Sequence, residues 1–357
     1  MSHSNYLKQK IRPIIINLAK KVLNSNELRS NVLIINREFQ SPDYQALEGI
    51  KNQPTEYEDL KKRETTNDIN LRDDIVFVTG RFRSGSTVFW NIFRQLDDFT
   101  AYYEPFNERR WFDSSSRGQF VDKSHKGVRN YWAEFEGLDH LSKYFQDEWI
   151  EKRLYMDEKS FDPNMFKYIN GMIEAAKGRP LMQFNRIDFR LAWIRKHYPN
   201  AKIIHIYRHP RDQYISTLLF KGSSQKEHAQ SAVKNFTDHF YLKMWARALH
   251  YHFPFVKEPP EQHPYETFYF IWKLSYLYGL KYGDYSVKFE ELAEDPQSQL
   301  REVFSILNIS NAFVDQAAKV VQKQPVSKWK SYAQDEWFNE IECRCEDMLD
   351  HFFCSIN

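Results

Sequence analysis

The chain has 357 residues, enough for one large α/β domain or two smaller ones with a sizeable core. Its formal net charge of +2 gives no overall field that would favour nucleic acid. Its three cysteines, Cys343, Cys345 and Cys354, lie near the C-terminus and do not form a disulfide framework. No segment reaches the ~20 apolar residues of a membrane-spanning helix, so we expect a reduced, cytoplasmic protein.

The first 73 residues are predicted to form a partly helical N-terminal extension, and residues 74–357 the main domain. Within the extension, residues 6–23 carry a short apolar run among basic residues but lack the uninterrupted apolar region of a signal peptide. Such a basic amphipathic helix either contacts a membrane surface or docks on its own domain. We favour docking.

From Asp74 onward, apolar strand-like stretches alternate with helix-like ones. Strands separated by helices imply right-handed crossovers, so the fold class predicted here is α/β, a three-layer P-loop-type domain with a mainly parallel sheet flanked by helices. Ligands of such sheets bind beyond the carboxyl ends of the strands. The predicted strands are 75–79, 99–103, 180–184, 201–207 and 285–289. The predicted helices are 88–96, 138–149, 163–176, 189–197, 212–220, 228–252, 264–282, 296–307 and 335–352.

A glycine-containing loop, residues 80–87, joins the first predicted strand to the first helix and reads GRFRSGST. Its spacing fits the phosphate-binding loop GxxxxGK[ST], but Ser86 takes the position of the lysine and the cation Arg83 stands three positions earlier. Transfer of a γ-phosphoryl group needs that lysine together with magnesium. Without the lysine, the loop still binds a phosphate through backbone N–H groups and a helix N-terminus. The loop therefore favours a transferred group of lower charge.

A second motif, RHPRDQYIS at residues 208–216, follows an apolar strand. Arg208 at the end of the strand and Ser216 on the next helix can converge on one phosphate. The alternative is a structural arginine paired with Asp212. The motif is suggestive alone and becomes strong together with the loop at 80–87.

Together the two motifs resemble the signature of sulfotransferases that use PAPS (3′-phosphoadenosine 5′-phosphosulfate), in a form close to the bacterial one. Further similarity lies in KHYPNAK at 196–202, VKFEEL at 287–292 and KWK at 328–330. The resemblance covers most of the chain from Asp74 onward and leaves out about the first 70 residues. It implies PAPS as co-substrate, with no metal expected, because the sulfuryl group carries a single formal charge.

The resemblance also implies binding roles. Arg208 and Ser216 would hold the 3′-phosphate, and Arg83 would stabilise charge on the leaving group. Val88 stands where many relatives have an adenine-stacking tryptophan; Phe89 or Trp90 either replaces it or belongs to the core. The residues expected to hold the 5′-phosphosulfate are Arg81, Arg83, Ser84, Gly85, Ser86 and Thr87. Lys328 and Lys330 either close over the donor or are solvated surface residues.

The catalytic base is expected at Glu104. Cytosolic relatives use a histidine in a stretch that here reads MQFNR, at residues 182–186, and contains none. Other branches use a glutamate after the second strand, in a context like Glu104-Pro105. A carboxylate there can take the proton of an acceptor hydroxyl, and burial would raise its pKa. The alternative is a structural glutamate paired with Arg109 or Arg110; His125 and Asp188 are weaker candidates for the base.

The predicted function is transfer of a sulfuryl group from PAPS to a hydroxyl acceptor, with release of adenosine 3′,5′-bisphosphate (PAP). The alternatives are a P-loop kinase-like phosphotransferase and a catalytically inactive nucleotide-binding scaffold. Residues 105–178 and 222–282 are expected to form the lid and the acceptor pocket. Their aromatic residues and cations suit a sugar, a glycolipid, a phenol or an anionic acceptor, so the acceptor stays open. The cations in the first of these segments are Arg109, Arg110, Lys123, Lys126 and Arg129.

Overall fold

The structure is a computed structural model that describes residues 55–59, 72–123, 125–218, 238, 240–322 and 327–355. All of these belong to the second of the two units into which the chain divides, Leu47–Asn357. The predicted helical segment at 6–23 and the first part of the predicted helix at 228–252 lie outside the described residues. The division at residues 73 and 74 stays a prediction.

The described residues form seven strands, five of which make one sheet. These strands are β1 (Glu58–Asp59), β2 (Val76–Thr79), β3 (Phe99–Tyr103), β4 (Ser160–Phe161), β5 (Arg179–Phe184), β6 (Lys202–Tyr207) and β7 (Tyr285–Lys288). The sheet has the order β3-β5-β2-β6-β7, and each neighbouring pair is parallel. Every residue of β2 is buried, as expected of a parallel strand whose two sheet faces are both covered. The α/β fold class and all five predicted strands are therefore confirmed.

Helices flank this sheet; α1 packs on β3 and β5, and α7 packs on β6 and β7. The described helices are α1 (Ser86–Arg94), α2 (Glu148–Glu151), α3 (Pro163–Ala175), α4 (Leu191–His197), α5 (Pro210–Leu218), α6 (Leu242–His250), α7 (Pro264–Tyr282), α8 (Phe289–Glu294), α9 (Pro296–Ile306), α10 (Val314–Ala318) and α11 (Asp335–Ser355). None of the helices in these ranges is long and apolar enough to cross a membrane.

One predicted helix, 138–149, is wrong. The chain there forms a 3₁₀ turn, Asp139–Lys143, followed by the separate four-residue helix α2. Phe145 between them packs edge-on against Trp149 and Tyr168. This aromatic packing overrides the weak local preference for one continuous helix.

The central strand β2 delivers the loop at 80–87 to the carboxyl edge of the sheet. A glycine is needed at position 80, because a Cβ atom there would lie 2.4 Å from Cγ2 and 2.7 Å from the carbonyl oxygen of Ile206 on β6. Gly80 also donates its N–H to the carbonyl of Phe184 at 3.2 Å. The loop therefore starts in close contact with both neighbouring strands.

A short stretch of the predicted extension packs on the main domain. β1 pairs antiparallel with β4, and the buried Tyr57 donates its hydroxyl to the carbonyl of Arg153 at 2.7 Å. The guanidinium of Arg153 lies over the Tyr57 ring, 4.1 Å from its centroid. Residues 57–59 therefore contribute to the same domain as the sheet.

Candidate active site

A cleft of about 560 Å³ lies at the carboxyl edge of the sheet. Each of the five strands is followed by residues that line it, which is the arrangement expected of a ligand site in an open α/β sheet. The lining residues that follow the strands directly are Gly85, Ser86, Thr87, Glu104, Asn185, Arg186, Arg208 and Phe289.

The loop at 80–87 enters this cleft in a strained, compact conformation. Arg83 has φ 67° and Gly85 has φ 95°, both in the left-handed region. A Cβ atom at position 85 would lie 2.1 Å from Cδ2 of Phe289, so only glycine fits. Helix α1 starts immediately afterwards, and its first residues, Ser86 and Thr87, line the cleft. The first-turn N–H groups of a helix lack intrahelical acceptors and favour an anion.

Two arginines and a serine from distant parts of the chain meet beside this loop. The Nε of Arg83 donates to Oγ of Ser216 on α5 at 3.0 Å. Nη1 of Arg208 lies 3.5 Å from the carbonyl oxygen of Arg83. Burial lowers the pKa of both guanidinium groups, and the charge of Arg83 lowers that of Arg208 further. This side of the cleft is therefore strongly positive.

Arg208 is only weakly compensated by carboxylates. Its Nε lies 3.8 Å from Oε1 of Glu290, and its guanidinium lies 5.2 Å from the ring centroid of Phe289. That Nε is buried and has no hydrogen-bond partner among the described residues. Asp212, the predicted alternative partner, accepts instead from the backbone N–H of Ser327 at 2.8 Å.

Glu104 follows β3 and faces the same cleft from the other side. It is 5% exposed and has φ 39°, an uncommon conformation for glutamate. Its Oε1 accepts from Nδ2 of Asn185 at 2.5 Å, and its Oε2 accepts from Nδ2 of Asn107 at 2.8 Å. Burial raises the pKa of Glu104, and the positive charge of Arg186 partly opposes this. A carboxylate with a raised pKa that is held rigidly in a cleft can accept a proton.

Arg186 is the functional residue that sequence reasoning missed. Its Nη1 lies 3.1 Å from Oε2 of Glu104 and its Nη2 lies 2.9 Å from Oε2 of Glu108, with 2% of the arginine side chain exposed. Its guanidinium also lies over the rings of Phe82 and Tyr241, at 4.9 and 5.3 Å. The available signal was its position, directly after a strand adjacent to that of Glu104.

Asn185 connects the glutamate to the phosphate-binding loop. Its Oδ1 accepts from Oγ of Ser86 at 3.1 Å and from Nε2 of Gln183 at 2.9 Å, while its amide donates to Glu104. On the same side, the hydroxyls of Thr87 and Tyr103 are 3.0 Å apart. The loop and Glu104 are therefore held in one hydrogen-bonded network.

The sequence model of the sulfotransferase family matches residues 75–313, more than half of the chain. The chain belongs to the sulfotransferase family. Solved structures that resemble it include a sulfotransferase from Alicyclobacillus acidocaldarius, 16% identical, covering 78% of this chain and 94% of that one with a TM-score of 0.40. Another is mouse sulfotransferase SULT7A1 complexed with PAP, 11% identical, covering 87% and 92% with a TM-score of 0.40. A third is STF9 from Mycobacterium avium, 13% identical, covering 77% and 76% with a TM-score of 0.41.

The comparison of this sulfotransferase with curated proteins finds no match. Membership of the family therefore rests on the family model, and the roles of individual residues rest on the geometry of the cleft.

Several residues predicted for the donor site of this sulfotransferase do not line the cleft. The Arg81 side chain pairs with Asp188 at 2.9 Å and lies 4.5 Å from the ring centroid of Trp245. The Ser84 side chain is fully buried behind the loop, its Oγ close to Gly80. These two residues contribute the backbone of the loop, while Arg83, Gly85, Ser86, Thr87, Glu104, Arg208 and Ser216 all line the cleft.

The remaining candidates separate clearly in the sulfotransferase structure. Phe89 and Trp90 are fully buried core residues, so neither is placed to stack on adenine. Lys328 and Lys330 are exposed in a 3₁₀ turn, Lys328–Ser331, and do not line the cleft. His125 does line it, with Nδ1 2.5 Å from the hydroxyl of Tyr131, and burial lowers its pKa to about 4.

Proposed function

We propose that this protein transfers a sulfuryl group from PAPS to a hydroxyl acceptor and releases PAP. The observation that carries the proposal is the convergence of Arg83, Glu104, Arg208 and Ser216 on one cleft, from segments far apart in the sequence. The four residues divide into a positive side suited to phosphates and a carboxylate side suited to a hydroxyl group.

The described residues fit a donor with phosphates at both ends of the ribose. Two buried guanidinium groups that depress each other's pKa are stabilised by an anion between them. The unpartnered Nε of Arg208 is an available donor for such an anion. We assign Arg208 and Ser216 to the 3′-phosphate and the loop residues Gly85, Ser86 and Thr87, with Arg83, to the 5′-phosphosulfate.

In the proposed reaction, the acceptor oxygen attacks sulfur while the bond from sulfur to the 5′-phosphate oxygen breaks. Glu104 takes the hydroxyl proton, which requires its carboxylate to be ionised, and Arg186 and Asn185 hold it in place. Arg83 and the loop N–H groups stabilise the negative charge that develops on the departing phosphate oxygen. The sulfate ester and PAP leave with the protein unchanged except for the proton on Glu104, which passes to solvent.

A kinase-like phosphotransferase fits the cleft less well. Ser86 stands in the position of the phosphate-binding lysine, and its hydroxyl donates to Asn185. Arg208 and Ser216 have no task on a nucleotide that lacks a 3′-phosphate. A scaffold without catalysis would leave unexplained why a strained, buried glutamate is held beside the loop.

The test is transfer of label from ³⁵S-PAPS to a panel of hydroxyl compounds, with thermal unfolding in PAP or in ATP with Mg²⁺ as the binding control. PAP at a hundredfold excess over its Kd should stabilise the fold by about 2.7 kcal/mol. Stabilisation by ATP with Mg²⁺ and none by PAP would refute the proposal. A cytoplasmic location and a role for the N-terminal segment in docking stay predictions.

A further inference from the structure

We infer that the acceptor side of the cleft takes an uncharged, ring-bearing hydroxyl compound and disfavours anionic acceptors. The inference rests on the proposed function, since it concerns the second substrate of the same site. It is carried by the charges and rings that surround Glu104 in the cleft.

The cations that made an anionic acceptor plausible in the sequence do not gather in the cleft. Arg110 pairs with Asp147 at 2.6 Å, on the surface. Lys123, Lys126 and Arg129 are exposed, and none of them lines the cleft. Of the five cations in this part of the chain, only Arg109 remains as a cleft residue.

The two arginines on the acceptor side are already engaged. Arg186 lies between Glu104 and Glu108, at 3.1 and 2.9 Å, so its charge is matched by two carboxylates. The guanidinium of Arg109 lies 4.8 Å from the ring centroid of Phe120. An incoming carboxylate or sulfate would have to compete with these contacts.

Carboxylates outnumber cations around this part of the cleft. Glu108 lines it with half of its side chain exposed, and Asp122 lines it beside His125. Burial lowers the pKa of His125 to about 4, so this ring adds no positive charge at neutral pH. With Glu104 included, three carboxylates face two arginines, and an anionic acceptor meets net repulsion.

Aromatic surfaces supply the complementary attraction. Phe120 stands at the mouth of the cleft with 52% of its surface exposed, which is unusual for a phenylalanine. Tyr241 and Phe240 line the cleft as half-buried rings. Trp111 also lines it, and its indole N–H is buried with no hydrogen-bond partner among the described residues. Rings beside single polar donors suit a sugar or a phenol.

The test compares two matched pairs of acceptors in the labelled PAPS assay. The sugar pair is 4-nitrophenyl β-D-glucoside and 4-nitrophenyl β-D-glucuronide; the phenol pair is 4-ethylphenol and 4-hydroxyphenylacetate. In the pair that is used, we expect kcat/KM for the neutral member to exceed that for the anion by about tenfold or more. An equal or reversed preference would overturn the inference, and the pair that reacts distinguishes a sugar from a phenol.

A charge-removing variant provides the internal control. Glu108→Gln should narrow the preference for the neutral member by about fivefold, while Glu340→Gln, an exposed carboxylate on α11, should leave it unchanged. An unaltered preference in Glu108→Gln would contradict the inference. If PAP stabilises the protein but neither pair reacts, the acceptor inference fails and the donor assignment stands. If PAP does not bind, the proposed function fails.

Discussion

Replacing Arg186 by methionine is the perturbation that the structure predicts most sharply. The substitution keeps a long apolar stem but removes the guanidinium that holds Glu104 at 3.1 Å and Glu108 at 2.9 Å. The side chains of Arg186 and Glu104 are 2% and 6% exposed, so the carboxylate would be left buried without its ion-pair partner. Such a loss costs about 3–5 kcal/mol of unfolding free energy. Because Asn185 and Asn107 still donate to Glu104, we expect about 3 kcal/mol.

The cost of Arg186→Met should depend on pH. Burial already raises the pKa of Glu104 above its usual range, and loss of the guanidinium raises it further. A carboxyl group whose pKa is higher in the folded than in the unfolded state takes up protons on folding, so the free energy of unfolding falls as pH rises through that pKa. The deficit of the variant relative to the wild type should therefore be largest at neutral pH and shrink on acidification, when Glu104 is neutral.

Urea denaturation followed by tryptophan fluorescence, at about pH 8 and about pH 5, measures this deficit. The matched control is Arg110→Met, which breaks the ion pair with Asp147, whose side chains are 41% and 64% exposed. Its expected cost is about 1 kcal/mol or less at both pH values. Equal deficits in the two variants, or a deficit in Arg186→Met that does not change with pH, would refute the reasoning.

Three further substitutions test the parts of the cleft separately. Glu104→Gln should lower kcat by about 10²–10⁴-fold and leave stabilisation by PAP intact; undiminished transfer would remove this residue from the role of base. Gly85→Ala should weaken PAP binding and destabilise the fold more than Gly137→Ala, because both glycines have positive φ but only Gly85 would contact Phe289; equal unfolding midpoints would contradict this. His125→Gln should leave the acid limb of the kcat/KM profile in place, because this ring is neutral above its pKa of about 4; a lost limb would reassign the base.

The fold was readable from the sequence because parallel strands buried on both faces appear as short apolar runs separated by helices. The loop at 80–87 was readable because its spacing reports a backbone conformation, and Gly85 has the positive φ that this conformation needs. The positions of Arg208 and Ser216 followed from the same logic, one at a strand end and one on the next helix. Features set by the backbone were therefore predictable.

Partner choice among charged side chains was not predictable, because it depends on tertiary packing. Arg81 belongs to the loop, yet its guanidinium turns away to Asp188, more than a hundred residues later. Arg109 and Arg110 are close to Glu104 in sequence, but the buried partner is Arg186, which arrives on the neighbouring strand β5. Local spacing carries no information about which of these cations reaches the carboxylate.

The central claim is that the cleft recognises a nucleotide with a 3′-phosphate through Arg208. Titration calorimetry with PAP and with adenosine 5′-phosphate, on the wild type and on Arg208→Ala, tests it most directly. We expect the wild type to bind PAP about 10- to 150-fold more tightly, the value of one charge-assisted hydrogen-bonded contact, and the variant to lose most of this preference. Equal affinity of the wild type for the two nucleotides, or a preference that survives in Arg208→Ala, would contradict the account.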